Sequence, residues 1–169
     1  MKISTLLFFV LFTTFSFQSS ESKAQFDTYT LRLYLEGTYS GNSYPIATFT
    51  NILGTPSGPS STFILGLNSP CNLTDFPWSP GVGTLNDLAA SAMLDANAAG
   101  IRFTFYKNSG RDLSRGHTIV ITKKAFVGYN LRTFERSFED EFVKVYFNYG
   151  NNGYEEMNGE VSSLIVEKF

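Results

Sequence analysis

Reactive side chains are scarce in this chain: it has one histidine, His117, and one cysteine, Cys71. One imidazole and one thiol cannot build a His/Cys metal cluster. No Gly-x-Ser-x-Gly elbow and no phosphate-binding glycine loop ending in Lys-Ser or Lys-Thr accompanies them. His117 follows Arg115-Gly116 at the head of an apolar-rich run and reads as a partly exposed residue at a strand end. Cys71 has no second cysteine to pair with inside the chain, so it reads as a small buried hydrophobe, with a bridge between molecules as the alternative. Carboxylates are denser, with Glu135, Glu139, Asp140 and Glu141 ahead of an apolar run, and Glu155 and Glu156 near Gly153. Such groups could hold calcium or work as a glycosidase pair. Their spacing fits no calcium loop, and a solvated connection is the simpler expectation. No catalytic residue, cofactor site or metal ligand is assigned, and the chain is expected not to be an enzyme.

Aromatic side chains offer a different chemistry. The chain holds 17 Phe, 9 Tyr and 1 Trp, while only 17% of its residues are charged and the net charge is −2. A composition this lightly charged, with no basic run, argues against nucleic acid as a partner. Phe76 and Trp78, with Tyr39 or Tyr44, are candidates for an aromatic platform that would take a sugar or a cell-surface partner.

These groups belong to a chain that begins with a processing signal. Lys2 precedes the apolar run Leu6 to Phe17, and polar residues to Lys23 and small Ala24 follow, which is the layout of a secretory signal peptide. The run is too short to span a hydrocarbon core of about 30 Å, which takes about 20 residues. Residues 1–24 are therefore expected to be the signal peptide and 25–169 one β domain, secreted or periplasmic in a bacterial envelope, with no membrane span after cleavage. Asn72-Leu73-Thr74 also matches a glycosylation sequon, which matters only in a eukaryotic secretory pathway.

Period-two alternation dominates the rest. Tyr29, Leu31, Leu33 and Leu35 alternate with Thr30, Arg32 and Tyr34, as a half-buried strand requires. Extended runs follow at Tyr44–Ile52, Thr62–Leu67, Ile101–Lys107, His117–Lys123, Ala125–Phe134 and Phe142–Tyr149, with a last apolar run at Val161–Val166. The stretch Asn68–Gly83 is irregular, and its aromatics are expected to pack rather than to be displayed. One segment has another period: Leu85, Leu88, Ala89, Ala92, Met93 and Ala96 fall on one helical face, which predicts a short helix over 85–97 capped by Asn86 or Asp87. The sum is an all-β, mainly antiparallel barrel or sandwich with one short helix.

From Asp87 to about Tyr149 the order of segments resembles a known family. Asp87-Leu88-Ala89-Ala90-Ser91-Ala92-Met93-Leu94 is followed by Ala99-Gly100-Ile101-Arg102-Phe103-Thr104-Phe105, a polar hairpin, Ile119 to Tyr129, and Phe142-Val143-Lys144-Val145-Tyr146-Phe147. This is similar to the second half of the haemolysin-coregulated protein, the tube subunit of type VI secretion systems. The resemblance implies a β-barrel interrupted by one helix and assembly into hexameric rings with a central channel. It also implies no signal peptide, which this chain departs from. Leu33 to Gly41 is similar to a segment of Bacteroidota surface proteins.

Two functions follow as expectations. One is an exported, non-enzymatic protein that self-assembles, as a homo-oligomer or ring, or binds a protein partner. Its interface candidates are Arg102, Tyr106 and Tyr146, on the strand faces opposite the apolar ones. The other is a secreted β-sandwich module that recognises carbohydrate or a cell-surface partner through the aromatic platform. The signal-peptide reading predicts that exported material begins at Gln25; an intact mass that still includes Leu6 to Phe17 would contradict it.

Overall fold

A computed structural model describes residues 26–35, 45–52, 61–79, 83–151, 153 and 156–169, without the side chains of Ser61, Trp78 and Ser79. The segment 1–24, expected to be a signal peptide, lies outside the described residues, as do Tyr39 and Tyr44. The strands are β1 (Tyr29–Tyr34), β2 (Ala47–Thr50), β3 (Ser61–Ile64), β4 (Pro70–Asn72), β5 (Pro77–Ser79), β6 (Gly83–Thr84) and β7 (Ser91–Ala96). They continue as β8 (Ile101–Tyr106), β9 (His117–Thr122), β10 (Phe126–Leu131), β11 (Phe138–Glu139), β12 (Val143–Asn148) and β13 (Ser163–Lys168).

Five strands form one sheet in the order β10-β7-β1-β2-β3, and six form a second in the order β11-β12-β9-β8-β13-β4. Strands β5 and β6 make a small separate pair. Every pairing is antiparallel except β2 with β3. Among the described residues each large sheet has two edge strands and neither closes on itself, so the mainly antiparallel architecture is sandwich-like rather than a barrel.

The alternation seen in sequence is what joins the layers. Leu31, Leu33, Phe49, Ala92 and Leu94 point inward from the five-stranded sheet, and Ile101, Phe103, Phe105, Val120, Val143, Leu164 and Val166 from the six-stranded one. All belong to one contiguous core. Tyr29 crosses the gap: its ring meets that of Phe103 edge-on at 5.7 Å, and its hydroxyl donates to the Leu65 carbonyl at 2.6 Å. That bond satisfies the polar end of an otherwise buried ring. Phe76 packs on Phe63 at 4.5 Å and on Phe49 at 5.5 Å, so the aromatic of the irregular stretch is packed, as expected.

The helix predicted over 85–97 is absent. Residues 91–96 are β7, a strand of the five-stranded sheet flanked by β1 and β10, with Ala92, Leu94 and Ala96 inward and Met93 and Asp95 outward. The residues before it form a turn. Asp87 has a φ of 57°, and the N–H groups of Leu85, Asp87 and Ala90 donate to Phe76, Val161 and Tyr34 carbonyls, not along a helix. The small apolar residues satisfied both periods, and ladders on both sides decided between them, since tertiary pairing readily overrides the few tenths of a kcal/mol per residue of helix propensity.

Because the sheets meet on ring contacts, Phe103→Ala should cost about 3–5 kcal/mol in urea unfolding. The far-ultraviolet circular dichroism of the parent should show a β spectrum without a helical double minimum.

Candidate interaction surface

The outward face of the six-stranded sheet is built by register. Antiparallel pairing places Pro70, Ile165, Thr104, Ile119 and Tyr146 side by side across β4, β13, β8, β9 and β12. One row toward the other end lie Glu167, Arg102, Ile121, Lys144 and Glu139, a row with charges at both ends. On the opposite flank are Asn72, Ser163, Tyr106, His117 and Asn148. Tyr146 is 44% exposed, and Ile119, Ile121 and Ile165 are half-buried.

All three sequence-derived interface candidates fall on this face, each in a different row. Arg102 is already engaged by its own chain: Nε and Nη2 donate to Glu167 Oε2 at 2.9 and 2.6 Å, and its guanidinium lies 4.8 Å from the Phe169 ring centroid. Tyr106 is half-buried, and burial, followed by the Glu167 carboxylate, pushes its hydroxyl above the ordinary tyrosine range. Tyr146 stands two strands from β8, about 10 Å at ordinary strand spacing. Lys144 Nζ lies 4.9 Å from its ring centroid. The isoleucines of the central rows escaped the sequence reading because strand order cannot be read from alternation.

Of the aromatic-platform candidates, the structure describes the side chain of Phe76 alone. Phe76 is partly buried and packs against the core, Tyr39 and Tyr44 lie outside the described residues, and of Trp78 only the backbone in β5 is described.

Glu135, Glu139, Asp140 and Glu141 each hold something. Glu135 Oε1 accepts from the N–H groups of Met157 and Asn158 at 2.7 and 2.9 Å, tying the turn ahead of β13 to the connection after β10. Glu139 pairs with Lys123 at 3.0 Å and Lys144 at 3.6 Å, and Glu141 pairs with Lys124. Asp140 accepts from the Tyr129 hydroxyl at 2.7 Å and from the N–H groups of Phe142 and Val143 at 2.8 and 2.9 Å. Burial opposes ionisation of Asp140, but the Tyr129 hydroxyl and the two amides outweigh it and hold the carboxyl below the usual aspartate range. Glu139, Asp140 and Glu141 are exposed, as expected of a solvated connection, and within it they also act as braces. Among the described residues, no three of His, Cys, Asp and Glu converge on a point where they could hold a metal ion.

His117 is 8% exposed, not partly exposed as its sequence position suggests, because β9 is flanked by β8 and β12; its Nδ1 lies 3.1 Å from the Arg115 carbonyl. Cys71, 4% exposed, is a free thiol turned toward the core from β4, opposite Leu164. Burial first, and the Asp75 carboxylate second, push the thiol up to about 12. At neutral pH it is protonated and a poor nucleophile. No helix among the described residues is long and apolar enough to cross a membrane.

No protein-family model, curated protein or solved structure matches the chain.

These environments set the pH dependence of stability. The Asp140 carboxyl, depressed in the folded state, contributes stability that is present above its unfolded value of about 3.8 and is lost as pH falls through the folded one. The Cys71 thiol, raised from 9.0 to about 12, contributes stability present below about pH 9 and lost as pH climbs toward 12. Urea midpoints measured across pH should therefore fall at both ends; Asp140→Asn should flatten the acid limb, and Cys71→Ala should soften the alkaline one.

Proposed function

We propose that this chain is an exported, non-enzymatic β-sandwich protein that acts by association, through the outward face of its six-stranded sheet. The observation that supports this reading is the row Pro70, Ile165, Thr104, Ile119, Tyr146, which sets an exposed tyrosine beside half-buried isoleucines next to a row carrying both charge signs. Aromatic anchors seated among apolar neighbours are where interfaces concentrate their energy. Arg102 is held in place by Glu167 and Phe169, so it would lose little side-chain entropy on docking.

A second copy of the chain is the partner this face suits. Glu167 with Arg102 at one end of the charged row and Lys144 with Glu139 at the other present both signs, which a two-fold related copy can match. The likeness to tube subunits supports self-association through the strand order that follows Ala99. It supports a ring less well, because residues 91–96 form a strand rather than the helix of that family and the sheets do not close. Export rests on the signal-peptide reading of residues 1–24.

Light scattering on a sizing column should show an oligomer whose mass falls toward that of the monomer in Tyr146→Glu. The melting transition should hardly move, because an exposed site of this kind shifts stability by about 0.5 kcal/mol at most. A parent that is monomeric at all concentrations, or a variant that still assembles, would contradict the proposal.

A further inference from the structure

Strands β8 and β9 are joined by residues 107–116, which form a hairpin connection at one end of the sandwich. At the opposite end lie residues 97–100, between β7 and β8, and residues 123–125, between β9 and β10. The six residues of β8 hold these two ends about 20 Å apart at ordinary strand rise.

The hairpin end offers an apolar knob on a braced tip. Leu113 is 55% exposed, and Ser109 to Asp112 are exposed beside it. Asn108 grips Asp112 from both sides: its Oδ1 accepts from the Asp112 N–H at 3.1 Å, and its Nδ2 donates to the Asp112 carbonyl at 3.2 Å. The Asp112 carboxylate is turned onto Ser114, accepting from its N–H and hydroxyl at 2.8 and 2.7 Å, which leaves Arg111 as the exposed charge next to the knob. Behind the tip, the Asn151 N–H donates to the Ser114 carbonyl at 2.6 Å. Gly150 passes so close that a Cβ there would lie 2.7 Å from the same oxygen. A tip held in this way has little conformational freedom left to lose on docking.

The opposite end offers an open cavity of about 520 Å³, with Ile52, Ala125, Phe126 and Val127 among its lining residues. Ile52 is 40% exposed and Val127 90%. Among the described residues the lining includes one carboxylate, Asp95, and no lysine or arginine. Its polar side chains are largely matched within the chain. Asn97 accepts from the Thr28 N–H at 2.7 Å and donates to the Phe26 carbonyl at 3.0 Å, and Asp95 accepts from Arg32 and from the Gly128 N–H at 2.8 and 2.7 Å. What this end still demands is cover for apolar surface, beside a carboxylate whose oxygens each keep a second acceptor position.

We propose that the hairpin tip of one copy of the chain docks in this cavity of the next, with Leu113 against Ile52, Phe126 and Val127, and Arg111 toward Asp95. Each side supplies what the other lacks: a stiff apolar knob with a cation next to it, and an apolar recess with an anion in its wall. Both halves belong to the same chain but stand at opposite ends of it, so no molecule can satisfy itself. The contact is therefore heterologous and joins copies head to tail. A membrane surface suits this end less well, because Lys123 and Lys124 beside the cavity are already paired with Glu139 and Glu141. The contact uses neither Tyr146 nor the outward face of the six-stranded sheet, so failure of either reading leaves the other standing.

Sedimentation equilibrium on Tyr146→Glu reads this contact alone, since that substitution disables the sheet face and leaves tip and cavity intact. Concentrations up to about 1 mM are needed, well above those on a sizing column, because a contact this small is weak. The mass of Tyr146→Glu should rise with concentration over that range. In the same background Leu113→Asp spoils the tip and Val127→Asp spoils the cavity. Each should be monomeric alone and keep the melting temperature of Tyr146→Glu, because both side chains are exposed. Mixed in equal amounts, the two should form a dimer that grows no further, since one intact tip meets one intact cavity. Arg111→Gln added to the Val127→Asp protein should weaken that dimer about tenfold. Ala125→Glu serves as the cavity variant if Val127→Asp does not fold. Tyr146→Glu that stays monomeric throughout, a tip or cavity variant that still associates alone, a mixture that remains monomeric, or an Arg111→Gln dimer as tight as the parent pair would each overturn the proposal.

Discussion

Tyr29 and Phe103 stand on the two strands at the heart of the sandwich, β1 in the five-stranded sheet and β8 in the six-stranded one, and their rings meet edge-on across the interlayer gap. Everything else is hung on that contact. β1 pairs with β7 on one side and β2 on the other, while β8 pairs with β9 and β13. A one-residue slip of either strand would turn its apolar side outward and put Thr30 and Arg32, or Arg102 and Thr104, into the core. Register is therefore specified by the same burial that stabilises the fold. The Tyr29 hydroxyl extends the constraint to the Leu65 carbonyl, beyond the end of β3, so the ring that joins the sheets also ties down a connection.

Much of the sheet order is long-range. β13 lies between β8 and β4, so the last strand of the chain sits one place in from an edge of the six-stranded sheet, and that edge is a strand near residue 70. Closing such contacts is entropically slow before it is rewarded, so folding should be dominated by non-local pairing rather than by hairpins alone. The polar braces are placed accordingly. Arg32 with Asp95 crosses β1 and β7, Arg102 with Glu167 crosses β8 and β13, and Glu135 ties the turn before β13 to the connection after β10. Each exposed pair contributes little by itself. Their positions on neighbouring strands favour this register over its alternatives.

The edge at β10 is shaped by its local geometry. Asp95 accepts from Arg32 through one oxygen and from the Gly128 N–H through the other, which fixes the bulge against the body of the sheet. Val127, 90% exposed, is carried outward by the same irregularity. Past the bulge, the ladder resumes long enough to place Asn130, and the chain then departs with Arg132 and Arg136 toward β11. An edge shaped in this way is protected from strand addition, and it leaves a concave space between the sheets.

The amino-acid sequence by itself determined the β class, the positions of β1, β8, β9, β10 and β12, and the identity of the inward residues on β1, β8 and β12, because a two-residue period with large apolar side chains has one stable meaning at a half-buried layer. It also placed Arg102, Tyr106 and Tyr146 on outward faces. It could not decide 85–97, where small residues such as Ala92 and Ala96 fit a helical stripe and a buried strand equally well, and only ladders to β1 and β10 chose the strand. It could not show that Phe76 would pack against the core, nor that Ile52 and Val127 would line one cavity. Alternation states which way a side chain points along its own strand, whereas a surface or a pocket depends on which strands become neighbours, and that is decided by contacts between residues far apart in the chain.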